Sequence, residues 1–428
     1  MFLLSKRTFL LSLFLVWMLG TLVACGTFYP LPEVDKTDRD SVVASNTDFA
    51  FALHQKLSEK EKGNLFYSPY SISSALAMTY AGAKGDTAKE IADAFRWKLE
   101  GDKLHAAQSW LMLDLLNRGQ KGNYELNIAN RLWGEKTEPF LKDFQEQLKL
   151  RYLAGFETLD FAAQPEPSRL AINAWVKEQT RGKIENLLPP GSISNATKLV
   201  LTNAIYFKGN WDQQFKKSDT KNGDFIVSSS RKVTVPMMKQ TLKENRYGKF
   251  GLSDDGSDKD GSVEILELPY KSKELAMVIL LPSTDAMNRL EGKLSSSQLR
   301  SWLDKVDVPN KQIRLSMPRF KMTQSFKLSE ALKGLGMKKA FTTAADFSGM
   351  NGQQGIFIAS VHHKAFVEVN EEGTEAAAAT AVTGVTSVPA TMDYVVNRPF
   401  LFLLRDQTTG NILFVGRIND PTVEATNN

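Results

Sequence analysis

The run Leu199-Val-Leu-Thr-Asn-Ala-Ile-Tyr-Phe207 carries no charge, and Asn203 is its one strongly polar side chain. A strand that is apolar at odd and even positions alike has no face to give to water. It has to lie in the middle of a sheet, buried on both sides. Ala276–Leu281 has the same character. Ile313, Leu315 and Met317 alternate with polar neighbours, the pattern of a half-buried strand. Phe400–Leu404 and Ile412–Ile418 flank Thr408-Thr-Gly410-Asn411, which predicts a hairpin.

The N-terminal half reads as helical. Ser68-Pro69 sets a proline at a first helical position, where its missing N–H is no loss. The run Tyr70–Ala81 follows and stops near Gly82. Thr87-Ala-Lys-Glu90 has the spacing of a capping box, and Ile91, Ala94 and Phe95 form one apolar stripe behind it. A further helix is predicted from Ser168 to Thr180, closed by Gly182. Gly334-Leu-Gly336 reads as a helix end. Helices first and strands later predict an α+β fold.

The chain has 428 residues, with 42 % apolar and 24 % charged, which is ordinary globular composition and excludes collagen-like or wholly disordered classes. The first residues stand apart from the fold. Lys6 and Arg7 precede an apolar run, Thr8–Ala24, too short for a typical membrane span. It ends in Leu22-Val-Ala-Cys25, the pattern of a bacterial lipobox, in which the cysteine becomes the lipidated N-terminus. A plain signal peptide with a coincidental cysteine is the other reading. The expected organisation is a lipoprotein signal peptide over 1–24, lipidated Cys25 and a flexible tether over 25–45, a folded domain over 46–422 and a short tail over 423–428. The expected location is the bacterial cell envelope, held to a membrane by lipid and facing the periplasm or exterior. Gly26 carries no aspartate-type inner-membrane retention signal.

The net charge of +5 loses Lys6 and Arg7 with the leader, and the remaining bases are interspersed with acids, so nucleic-acid binding is excluded. No concentrated basic stripe suggests a polyanionic cofactor, and no cofactor is expected.

Catalytic patterns are missing. The histidines are His54, His105, His362 and His363, and none lies in a zinc-protease motif. There is no nucleophile elbow and no phosphate loop. Cys25, the single cysteine, excludes a disulfide framework. Ser68 with His363 is the one imaginable nucleophile–base pair, and nothing in the sequence brings an acid to it. The acidic stretch Gly251–Gly261 lacks the register of a calcium loop and reads as a solvated insertion. No catalytic residue and no metal site are expected.

The most unusual segment is Glu371-Glu-Gly-Thr-Glu-Ala-Ala-Ala-Ala-Thr-Ala381, following the strand-like Ala365–Val369. With period two, Thr374, Ala376, Ala378 and Thr380 share a face that holds no large or charged group, and Glu375 falls on the other. Such a segment can slide between two strands. A disordered Ala/Thr linker is the alternative.

Several blocks, in order, resemble the serpin family over about Asn46–Pro421. They are Asn64-Leu-Phe-Tyr-Ser-Pro-Tyr-Ser-Ile72, Thr202-Asn-Ala-Ile-Tyr-Phe-Lys-Gly-Asn-Trp211, Val235-Pro-Met-Met238, Met317-Pro-Arg-Phe320, Gly373–Thr380, Arg398-Pro-Phe-Leu-Phe402 and Thr409–Arg417. The resemblance implies three β-sheets, eight to nine helices and an exposed reactive-centre loop over about 373–393. It assigns the hinge of that loop to Gly373, Thr374, Glu375, Ala376, Ala377, Ala378, Ala379 and Thr380. It also implies that Ser68, Ser71, Asn203 and His363 form a polar cluster under the middle of the main sheet (the shutter), and that Trp211 marks the breach where the loop enters. Glu371 and Glu372 precede the hinge, although many relatives carry a base at the second position.

The function implied is trapping of a serine protease as a covalent acyl complex by a monomeric inhibitor. Counting from the hinge puts the reactive bond at Ser387-Val388, with Thr386-Ser387 as runner-up. Counting back from Asn397-Arg-Pro-Phe400 lands one residue later, before Pro389. Small neighbours and the absence of Lys or Arg between Gly373 and Asp393 suit elastase- or subtilisin-like enzymes. The other readings are a non-inhibitory member cleaved as a plain substrate, an inhibitor of papain-like cysteine proteases, a solute-binding lipoprotein and an esterase.

Overall fold

The structure, a computed structural model, describes residues 28–153, 155–374 and 390–427. From Leu31 onward the chain forms one compact unit. Its helices are α1 (Lys36–Lys60), α2 (Pro69–Tyr80), α3 (Gly85–Ala94), α4 (Gly101–Arg118), α5 (Lys142–Tyr152), α6 (Pro165–Gln179), α7 (Met287–Lys293), α8 (Ser296–Leu303), α9 (Ser329–Gly334) and α10 (Ser348–Asn351). The strands make three sheets, as expected. One is β1 (Leu65–Tyr67), β16 (Ile412–Ile418), β15 (Phe400–Asp406), β9 (Leu275–Pro282), β8 (Ser262–Pro269) and β7 (Tyr247–Gly251) in that order. A second is β14 (Thr391–Val395), β10 (Gln312–Pro318), β6 (Arg231–Leu242) and β5 (Lys221–Ser228). The main sheet runs β17 (Ala425–Asn427), β11 (Phe320–Lys327), β12 (Ser360–Val369), β4 (Leu199–Asn210), β2 (Tyr124–Glu135) and β3 (Phe156–Leu159), with β13 (Gly373–Thr374) also paired to β4. The class is α+β.

The continuous apolarity of β4 has a simple cause. It is the centre of the main sheet, and every residue from Leu199 to Phe207 is buried. On one face Val200, Ala204 and Tyr206 join Ala129, Trp133 and Phe366 under Ile172 and Val176 of α6. On the other face α2 packs against both β2 and β4. Helix α2 starts as predicted: Pro69 is its first residue, and the Ser68 hydroxyl accepts from the Ser71 N–H at 3.1 Å. Helix α6 ends as predicted, with Gly182 at φ +75° and its N–H donating to the Lys177 carbonyl at 2.7 Å, but it begins at Pro165, ahead of Ser168.

Several expectations need correction. Ten α-helical segments stand among the described residues, against eight to nine expected. The difference lies in short pieces: α9 has 6 residues and α10 has 4. The tether expected through residue 45 is helical from Lys36, and Val42, Ser45 and Asn46 of α1 are buried. Its mixed polar composition hid a helix whose contacts are tertiary. Thr87 and Glu90 do not cap α3, which begins two residues earlier at Gly85. Instead Thr87 Oγ1 accepts from the Asp346 N–H and Glu90 Oε2 accepts from the N–H groups of Lys338 and Lys339. Within the expected tail over 423–428, β17 pairs in parallel with β11 on the outer edge of the main sheet.

Candidate functional site

Two places on the main sheet carry the polar residues singled out above. The first is the mid-sheet junction of β4, β12 and α2. Strands β4 and β12 pair in parallel here, with His363 beside Asn203. All of Ser68, Ser71, Asn203 and His363 are wholly buried, and they meet. His363 Nε2 accepts from the Ser68 N–H at 3.1 Å, so Nδ1 carries the proton and donates to Asn203 Oδ1. Asn203 Nδ2 faces the Ser71 carbonyl at 2.9 Å and its hydroxyl at 2.6 Å. The Ser68 hydroxyl donates to the Leu413 carbonyl at 2.6 Å.

Burial holds the His363 imidazole neutral by pushing its pKa down to about 3. Ser68 is therefore not paired with His363 as a nucleophile with its base. The imidazole takes a backbone N–H, the hydroxyl is spent on a carbonyl, and neither reaches solvent.

Sequence reasoning missed a fifth member. Asn130 of β2 lies directly opposite Asn203 of β4, and its Oδ1 accepts from Asn203 Nδ2 at 2.5 Å and from the Ser71 hydroxyl at 3.3 Å. The signal was present: Asn130 and Arg131 interrupt the apolar residues Ile128, Ala129, Leu132 and Trp133.

The second place is the head of β4. After β12 the chain turns at Asn370–Glu372 and comes back as β13, with Gly373 opposite Asn210 and Thr374 opposite Gly209 in antiparallel register. Parallel pairing of β12 to β4 extends only from Val200 to Tyr206, so β13 takes the next stretch of β4. Trp211 braces the turn. Its N–H donates to the Glu372 carbonyl at 3.0 Å, its indole Nε1 to the Asn370 carbonyl at 3.0 Å, and its ring stacks on Tyr270 at 4.6 Å.

Both glutamates are tied. Glu371, 3 % exposed, accepts from the Thr220 hydroxyl at 2.7 Å and lies 3.7 Å from Arg319. Glu372 pairs with Lys217 at 2.5 Å, a contact that raises the Lys217 pKa. Lys217, Thr220 and Arg319 gave no sequence signal, because their role depends on the fold alone.

Hinge residues 375–380, the reactive-bond residues Thr386, Ser387 and Val388, and Cys25 lie outside the described residues. Their flanks do not: β13 ends in the main sheet, and β14, from Thr391, lies parallel to β10 at the edge of the second sheet.

A family model described as "Serpin (serine protease inhibitor)" matches residues 44–421. The chain belongs to the serpin family. This serpin is 42 % identical over 389 residues to the leukocyte elastase inhibitor of Bos taurus and 40 % identical over 401 residues to Serpin B3 of Homo sapiens, in each case over 89 % of its own length and 100 % of the relative's. Among solved structures it resembles maspin, with a TM-score of 0.79 and 30 % identity over 90 % of this chain and 100 % of that one. Uncleaved ovalbumin gives 0.78 and 31 %, covering 89 % and 100 %. The three-sheet serpin fold accounts for the placement of both polar groups on the same sheet.

Proposed function

We propose that this serpin inhibits serine endopeptidases as a suicide substrate, with elastase- or subtilisin-like enzymes as its targets. The protease serine attacks the carbonyl carbon of Ser387. An ester forms to that carbon, the bond to the Val388 nitrogen breaks, and Val388 leaves as a new amine with the proton. The freed loop then enters the main sheet as a strand before water can cleave the ester. The observation that carries this reading is the seat of β13: the start of the loop already pairs antiparallel with the end of β4.

Continued in that register, the loop would bring Thr380 between Asn203 and His363, where β4 and β12 now pair directly. Entry exchanges one parallel ladder for two antiparallel ones. Parallel pairing is the weaker per residue, and each net backbone hydrogen bond adds about 0.5–1.5 kcal/mol. The buried amide, hydroxyl and imidazole groups around Asn203 can trade partners as the strands part without leaving a donor stranded. About 14 inserted residues at ~3.3 Å each would carry the attached protease on the order of 45 Å.

The names of the relatives, leukocyte elastase inhibitors among them, agree with a small primary pocket in the target. On the same reading Cys25 is lipidated after removal of 1–24 and tethers a monomer to the bacterial envelope, facing the periplasm or exterior. The test is incubation with elastase followed by a denaturing gel. A complex that survives the gel, mass-mapped to Ser387, is expected. Clean cleavage with no complex, for elastase and subtilisin alike, overturns the proposal.

A further inference from the structure

The start of α1 lies against the N-terminal half of α4. Asp38 is 3.9 Å from Lys103, and the Arg39 guanidinium is 4.6 Å from the Trp110 ring centre. That half of α4 belongs to the end of the main sheet where β4 begins, its foot. His105 Nδ1 and the Tyr152 hydroxyl meet at 2.6 Å. Soon after Tyr152 comes β3, with Phe156 opposite Leu132 of β2 and Leu132 opposite Leu201 of β4. The other half of α4 reaches the head. The Leu115 carbonyl accepts from the Tyr124 hydroxyl at 2.6 Å, and Tyr124 pairs with Gly209, which also faces Thr374 of β13. From Lys103 to Leu115 the helix rises about 18 Å. The chain therefore enters the fold on the foot side of the sheet, and the loop starts at the head.

Gly373 faces Asn210, so continuing that register to the first residue of β4 would bring Gly384 opposite Leu199, with Ser387 just beyond. A protease held on Ser387 is thus delivered to the foot, the side from which the chain runs back to Cys25. Leu31 already belongs to the compact unit. The six residues from Cys25 to Leu31 span at most about 20 Å. A protease domain of ~220 residues has a radius of gyration of about 17 Å, so it is roughly 40 Å across.

We propose that in the anchored protein the lipid bilayer competes with the arriving protease for the space at the foot of the main sheet, so that anchoring diverts part of the inhibitor into plain cleavage. Slower arrival leaves the ester open to water for longer. Water adds to the Ser387 carbonyl carbon, the bond to the protease serine oxygen breaks, and that oxygen takes back a proton. The serpin then leaves cut, ending in the Ser387 carboxylate. This inference rests on the proposed inhibition and on anchoring through Cys25.

Cys25 is the single cysteine, so the mature chain can be coupled there to a maleimide phospholipid in vesicles of phosphatidylethanolamine and phosphatidylglycerol. The same chain with its thiol capped by N-ethylmaleimide is the soluble match. The ratio of cleaved to trapped serpin with elastase is read on denaturing gels. It is set after the ester has formed, so slower encounter at a vesicle surface does not alter it. The ratio is expected to be at least about threefold higher on vesicles, because it varies inversely with the insertion rate. Forty Gly and Ser residues inserted after Gly26 add a root-mean-square span of about 35 Å and are expected to restore the soluble value. An equal ratio with and without lipid, or a raised ratio that the long tether leaves unchanged, overturns the proposal. If the soluble chain traps neither elastase nor subtilisin, the proposed inhibition fails and takes this inference with it. If the protein expressed with its leader does not float with bacterial membranes, the anchoring fails instead, with the same consequence.

Discussion

A β-carbon on Gly373 would stand 2.1 Å from the carbonyl oxygen of Gly209 and 2.6 Å from the α-carbon of Asn210. Those atoms are backbone and cannot turn aside. Gly373 also sits at φ +145°, a conformation that other residues avoid. Gly373→Ala should therefore expel β13 from the head of β4. The expected stability loss is about 1–3 kcal/mol, read by urea denaturation, together with a lower yield of trapped elastase. A variant as stable and as effective as the parent would show that β13 does not need this close approach.

Thr374 follows at the position opposite Gly209. If the loop enters the sheet as proposed, the period-two pattern of the sequence puts Thr374 on the inward face with Ala376, Ala378 and Thr380. Thr374→Arg would force a guanidinium into the sheet, and burying an unpaired charge is prohibitive. The uncleaved protein should fold, yet elastase should cut it without forming a gel-stable complex. An unchanged complex yield would count against insertion.

Asn130→Ala removes the acceptor of the Ser71 hydroxyl in a buried cluster, whereas Asn203 Nδ2 keeps the Ser71 carbonyl and hydroxyl. The expected loss is about 1–3 kcal/mol in urea melts, the penalty of leaving one buried donor, the Ser71 hydroxyl, unsatisfied. A loss below about 0.5 kcal/mol, the level of an ordinary surface change, would mean that Asn130 is not a true member of the cluster.

Acid should destabilise the fold before any carboxylate protonates. Burial lowers the pKa of His363 to about 3 and those of His105 and His362 to about 4. These imidazoles are neutral when folded and take protons near pH 6.5 when unfolded. Between those limits the unfolded chain binds more protons, so stability is full above about pH 6.5 and falls as pH drops, by about 1.4 kcal/mol per pH unit for each fully titrating group. Glu291, held down to about 2 by His54 and Arg417 against the effect of burial, adds a further loss below about pH 4.5. Melting temperatures at pH 7 and pH 5 test this, and equal values would contradict it.

Truncation after Pro421 should expose the edge of β11. It removes the bond from the Thr323 N–H to the Glu424 carbonyl (2.8 Å), that from Asn64 to the Val423 carbonyl (3.2 Å), and β17 itself. Bare strand edges recruit other strands. A lower melting temperature and concentration-dependent oligomers in size-exclusion chromatography are expected. A monomer with unchanged melting would make β17 dispensable.

The parts of the site that were legible share one property: their physics is local. Ser68 caps a helix that opens with Pro69, and the uninterrupted apolar run around Asn203 announces a strand covered on both faces. The partners that remained hidden are distant in sequence. Arg319 reaches Glu371 and Lys217 reaches Glu372 across a turn whose geometry no spacing encodes. Thr87 and Glu90 mark the same limit from the other side. Their local capping spacing was present, and the chain spent both side chains on the segment 338–346 instead.

By itself the sequence determined the α+β class, the central place of Leu199–Phe207 and the family blocks. Periodicity and block order suffice for these, because apolar patterning dictates which faces are buried. Only the tertiary structure decided that Asn130 faces Asn203, that Gly373 and Thr374 are already seated on β4, and that residues 36–45 are helical. Each of these follows from strand register and from packing between segments far apart in the chain, and neither is recorded in the order of residues along any one segment.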